Sequence, residues 1–99
     1  MMRINVEFVG VLREFAGRRT MTLNLPTSGS DLKVEDVVRK LADKLPPQLR
    51  QTLIDPELHS PKPNALIFVN HQEISVLDGL NTKIEEEDQM VFIPVSHGG

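Results

Sequence analysis

The stretch Gln89-Met90-Val91-Phe92-Ile93-Pro94-Val95-Ser96-His97-Gly98-Gly99 decides how the remaining chain is read. It begins as a nearly unbroken apolar strand and closes on two glycines, the second carrying the terminal carboxylate. Proline has no N–H to give a sheet ladder, so Pro94 is expected to release the strand from the sheet. Beyond the strand, Pro94, Val95, Ser96 and His97 read as a spacer. Gly98 and Gly99, lacking Cβ atoms, make a thread thin enough to enter a narrow channel. Chain ends commonly fray, and glycine is common in them, so the pair takes its meaning from the platform before it. The expected division is a folded domain over residues 1–94 and a flexible tail over 95–99.

Within the strand, Met90 and Phe92 point to one face, and Val91, Ile93 and Val95 to the other. Upstream, Ala65-Leu66-Ile67-Phe68-Val69 is apolar at every position, which predicts a strand covered on both faces. One helix covers one face of a small sheet. The second face is then either packed by a proline-rich loop or left open as an apolar docking surface. Phe68, Val91, Phe92 and Ile93 are the candidate partner-binding set, and the pattern does not fix which face is open.

Working outward, Arg3–Val9 alternates, with Ile4, Val6 and Phe8 opposite Arg3, Asn5 and Glu7, as in a half-buried strand. Val11, Leu12 and Phe15 then share one side of a short helical turn that Gly17 stops. Arg18-Arg19 reads as a solvated loop. Met21, Leu23 and Leu25 alternate in a second strand that Pro26 ends, so the first two strands form an antiparallel hairpin with a wide connection. Val34, Val37, Val38, Leu41 and Leu45 make one apolar helical stripe, capped by Ser30 or Asp31, with Glu35 and Asp36 at its positive end. Pro46-Pro47 closes that helix, and Pro47 to Leu53 suits a short second one. Asp55–Asn64, with Pro56, Pro61 and Pro63, predicts an irregular loop. Asn70–Glu73 and Leu77–Leu80 read as turns, and Glu85-Glu86-Glu87-Asp88 as a solvated turn before the last strand.

Ninety-nine residues support one small core. With 39% hydrophobic and 25% charged residues the chain is of globular, not disordered, composition. Four Phe with no Tyr or Trp leave aliphatic packing to dominate. A net charge of −3 argues against direct nucleic-acid binding through phosphate neutralisation. No apolar run suits a membrane span, so no membrane partner is expected and the cytoplasm is the expected location. There is no cysteine, which removes disulfides, thiolate metal sites and cysteine nucleophiles. His59, His71 and His97 fall outside any metal-ligand spacing, and no metal is expected.

Hairpin, helix, buried strand, short strand and a final strand running into Gly-Gly together resemble the ubiquitin-like β-grasp. That fold is α+β: a mixed sheet of four to five strands, one main helix across it and a short second helix. Val11-Leu12-Arg13-Glu14-Phe15-Ala16-Gly17, Val69-Asn70, the Glu-rich turn closing at Asp88, and Phe92-Ile93-Pro94-Val95-Ser96 are similar to the MoaD-type small subunit of molybdopterin synthase. The tail departs from that pattern, with one proline and with His97 before the glycines. His97-Gly98-Gly99 and the segment Pro61–Asn70 resemble the ubiquitin-related modifier family, and small archaeal modifier proteins bridge the two patterns.

The resemblance implies a protein co-substrate, not an enzyme. Its reactive group would be the Gly99 carboxylate, with Gly98 giving clearance and His97 serving as a linker residue. An E1-like enzyme using ATP and Mg²⁺ would form an acyl-adenylate there. A sulfur donor of cysteine desulfurase or rhodanese type would convert it to a thiocarboxylate, or a target lysine would take it as an isopeptide. No cofactor is expected to stay bound. The alternative is a molybdopterin synthase subunit whose tail enters a large subunit. A plain β-grasp interaction domain with an incidental Gly-Gly is the third reading.

Overall fold

The computed structural model describes residues 2–26, 31–44, 54–55, 60–61 and 65–94. Strand β1 (Met2–Phe8) is followed by the short helix α1 (Val11–Ala16), strand β2 (Thr20–Leu25) and the main helix α2 (Val34–Lys44). Then come two-residue strands β3 (Ile54–Asp55) and β4 (Ser60–Pro61), strand β5 (Ala65–Val69), short strand β6 (Gln72–Glu73) and the last strand β7 (Gln89–Pro94). Strands β2-β1-β7-β5-β6 form one five-stranded sheet in that order. Only the β1–β7 pair is parallel in it, aligning Asn5 with Gln89 and Phe8 with Phe92. This is the mixed-sheet β-grasp.

Alternation explains the sheet's core face. Ile4, Val6 and Phe8 of β1, Leu23 and Leu25 of β2, Ile67 and Val69 of β5, and Met90 and Phe92 of β7 are all buried. Val34, Val37, Val38 and Leu41 bury the α2 stripe against them, as the helical spacing predicts. Leu45 and the short helix expected over Pro47–Leu53 lie outside the described residues. Phe8 and Phe92, side by side on the two parallel strands, have ring centroids 6.0 Å apart.

Helix α2 is entered differently from the expectation. Asp31 pairs with Lys83 at 3.1 Å instead of capping, and Ser30 lies outside the described residues. The first helical amide, Val34 N–H, donates to the Thr82 carbonyl at 2.9 Å, and Ile84 N–H donates to Leu32 at 3.0 Å. Asp36 accepts from Lys33 N–H at 2.9 Å. A strand-like rung between Lys33 and Lys83 therefore satisfies the helix start. It also buries Ile84, which no periodicity marked.

Three further expectations need correction. Ile54–Asp55 and Ser60–Pro61 pair antiparallel, so the proline-rich segment is not irregular throughout. Val11 is 42% exposed, because within α1 Leu12 is buried and Ala16 packs against the core, while Val11 turns outward. Strand β5 is not covered on both faces: Leu66 is exposed and Phe68 half-buried. Its all-apolar composition reflects a second surface, not a second layer.

Phe92→Ala should lower the unfolding free energy by about 3–5 kcal/mol in urea denaturation. Val91→Ala, one position along on the opposite face, should cost less than about 1 kcal/mol.

Candidate functional site

The site has two parts, the face of the sheet away from α2 and the end of β7 from which the last residues depart. On that open face Leu66 stands opposite Ile93 and Phe68 opposite Val91 across the β5–β7 ladder. Leu66 is exposed and the other three are half-buried, so they form one apolar patch. Phe92 does not belong to it. With strand period two it points to the core, where it is 1% exposed, which corrects its place in the expected partner-binding set. Leu66 was missed because an unbroken apolar run gives no cue to its outward side.

Beside the patch, Asn5, Glu7, Thr20, Thr22, Gln89 and Val91 line a shallow depression of about 270 Å³. Its amides, hydroxyls and one carboxylate offer polar contacts beside the patch. On the patch's other flank, Glu73 faces Phe68 across the β5–β6 pair. The Ser75 hydroxyl and N–H donate to its carboxylate and hold it below the usual carboxylate range. Among the described residues no cluster of His, Cys, Asp or Glu is arranged to hold a metal.

The start of β7 is pinned. Asn70 and His71 take positive φ values of 48° and 74°, the geometry of a two-residue hairpin between β5 and β6. That turn aims the Asn70 amide at the Glu-rich turn: its Nδ2 donates to Asp88 Oδ1 at 2.9 Å, and its Oδ1 accepts Gln89 N–H at 3.0 Å. Asp88 Oδ2 accepts Glu85 N–H at 2.7 Å. Arg3 ties the same turn to β1 by donating from Nε to Glu87 Oε1 at 2.6 Å, and Glu87 raises the guanidinium pKa. The acidic stretch is a fastening.

At the other end, Pro94 is still a strand residue opposite Ala65, so the spacer does not open with it. Val95, Ser96, His97, Gly98 and Gly99 lie outside the described residues. Val91 and Ile93 thus share β7 with Pro94, and Phe68 stands beside them on β5.

A mixed β-grasp sheet with one face packed under α2, one open face and an interior last strand defines the ubiquitin-like class of proteins. The sequence profile of Urm1, the ubiquitin related modifier, matches residues 3–99. This chain belongs to the ubiquitin related modifier family. Its fold is similar to small archaeal modifier protein 1 from Methanosarcina acetivorans, with TM-score 0.83, 28% identity, and coverage of 100% of this chain and 98% of that one. The Haloferax volcanii HVO 2177 protein gives TM-score 0.80 and 26% identity over 99% of this chain and 87% of that one. Urm1 from Trypanosoma brucei shares the fold with TM-score 0.76 at 24% identity, over 98% of this chain and 95% of that one. None of the curated proteins matches the chain significantly. No helix among the described residues is long and apolar enough to cross a membrane.

Asn70→Gly keeps the positive φ accessible but deletes the bridging amide. It should cost about 1–3 kcal/mol and speed hydrogen exchange at the Gln89 amide.

Proposed function

We propose that this protein is a ubiquitin-like modifier and sulfur carrier whose reactive atoms are those of the Gly99 carboxyl group. The family match reaching through Gly99 carries this reading. A carboxylate is ionised at neutral pH and is a poor acyl donor, so it must first be activated. In the proposed sequence an E1-like enzyme lets the Gly99 carboxylate attack the α-phosphorus of Mg²⁺-bound ATP, releasing pyrophosphate and leaving an acyl-adenylate. The terminal sulfur of a persulfide, on a cysteine desulfurase or rhodanese-type donor, then attacks the carbonyl and expels AMP. A second thiol reduces the resulting acyl disulfide, freeing the thiocarboxylate. Sulfur transfer, for example to tRNA, or capture of the activated carbonyl by a target lysine follows.

The chain's own residues supply docking and reach. Leu66, Phe68, Val91 and Ile93 would seat the activating enzyme, Gly98 would pass its narrow channel, and Val95, Ser96 and His97 would span the distance. ATP and Mg²⁺ belong to the partner, and the reaction sequence suits the cytoplasm. The second reading, a molybdopterin synthase small subunit, draws on the Val11–Gly17 stretch that forms α1 and its cap. There the tail would enter a large subunit.

Intact mass and covalent adducts of N-terminally tagged protein from its native host separate the readings. An oxygen-to-sulfur shift at Gly99 together with lysine adducts is expected. The same shift without adducts, beside a copurifying large subunit, would select the second reading. Tryptic conjugates carry the remnant Ile84–Gly99, because Lys83 is the last cleavage site; Ser96→Arg shortens it to His-Gly-Gly. An alanine appended after Gly99 should abolish activation without unfolding the domain. Phe68→Lys should raise the KM for the activating enzyme about tenfold or more, roughly 1.4 kcal/mol, at unchanged thermal stability.

A further inference from the structure

Strand β7 parts from β1 at one defined place. Val9 N–H donates to the Phe92 carbonyl at 3.1 Å. The next rung of a parallel ladder would run from the N–H of residue 94 to the Val9 carbonyl. Pro94 has no N–H, so that rung is not made, although Pro94 stays opposite Ala65 on the β5 side. Gly10 lies at this junction with φ 62° and ψ −136°, turning the chain from β1 into α1. A Cβ on Gly10 would sit 3.2 Å from Pro94 Cγ and 3.7 Å from Cδ. A flexible side chain would swing away, but a proline ring closes on its own backbone and has only its pucker to yield. An added methyl would press on the end of β7 itself.

We propose that Gly10 is a positioning residue for the reacting end of the chain: its missing side chain leaves room for the Pro94 ring and so sets where Pro94, the last described residue before Gly99, is held. The proposal rests on the reading of Gly99 as the reacting group. Gly10 touches no reacting atom and acts through Pro94. The structure supplies its own control in Gly17, with φ 74° and nothing within 4 Å of a built Cβ. Both Gly10→Ala and Gly17→Ala place a Cβ at positive φ, but Gly10, with ψ −136°, lies outside the αL region that Gly17 occupies. Gly10→Ala therefore carries the larger backbone strain as well as the contact with Pro94, and the Pro94→Ala background separates the two.

The test is steady-state adenylation by the activating enzyme, with all variants assayed where circular dichroism shows them folded. Gly10→Ala should lower kcat on the order of 10- to 100-fold through misplacement of the reacting carboxylate, leaving KM unchanged because the open face is untouched. Gly17→Ala should lose thermal stability yet keep the wild-type kcat. Gly10→Ala combined with Pro94→Ala should return to the kcat of Pro94→Ala alone, since the smaller residue removes the ring that the methyl meets. If Gly10→Ala alone does not fold, the same comparison in the Pro94→Ala background decides the matter.

A wild-type kcat in Gly10→Ala, an equal fall in Gly17→Ala, or a double variant that folds without recovering kcat would overturn the proposal. So would the absence of nuclear Overhauser contacts between the Gly10 α-protons and the Pro94 ring in the free protein. Wild-type protein that is never adenylated would instead refute the reading of Gly99, and this proposal with it.

Discussion

The parallel pairing of β1 with β7 places the two strands nearest the chain's ends side by side in the middle of the sheet, and the other elements are arranged around that pair. Parallel neighbours cannot be joined by a tight turn, so the intervening chain must cross over. That crossover contains α2, whose stripe covers Ile4, Val6, Phe8, Met90 and Phe92. Because β7 bonds to β1 on one side and β5 on the other, the strand that leads to the tail is interior. Pro94, the last described residue of the chain, thus ends a strand that is braced on both sides.

The two faces of the sheet divide the work. One is spent on the core under α2. The other keeps Leu66, Phe68, Val91 and Ile93 outside it, with Leu66 exposed and the rest half-buried, and it is the surface proposed above as the seat of the activating partner.

Where strands alternate, the sequence told the faces apart. Ile4, Val6 and Phe8 in β1, and Leu23 and Leu25 in β2, went to the core as their period of two requires. The stripe of Val34, Val37, Val38 and Leu41 was equally legible. In β7 the period of two separates Met90 and Phe92 from Val91 and Ile93 as the structure does, so Phe92 does not fit the partner-binding set it is placed in; in the unbroken apolar run of β5 the period marks no outward side. The Ile84 contact and the Lys33–Lys83 rung were illegible because they join segments distant in sequence through backbone groups, which every residue carries. Asn70 and Asp88 were visible as resemblances, and only the structure shows their reason, a shared set of hydrogen bonds that fixes the start of β7.

The ion pair between Arg3 and Glu87 spans 84 positions, and the β1–β7 ladder beside it joins equally remote segments. During synthesis β1 leaves the ribosome first and must wait, without its central neighbour, until β7 emerges. Such long-range pairing slows folding, because the closure entropy is lost before the contacts form. The sheet can therefore close only on a chain translated through β7. A chain cut before β7 would leave one edge of β1 unpaired and the core without Met90 and Phe92.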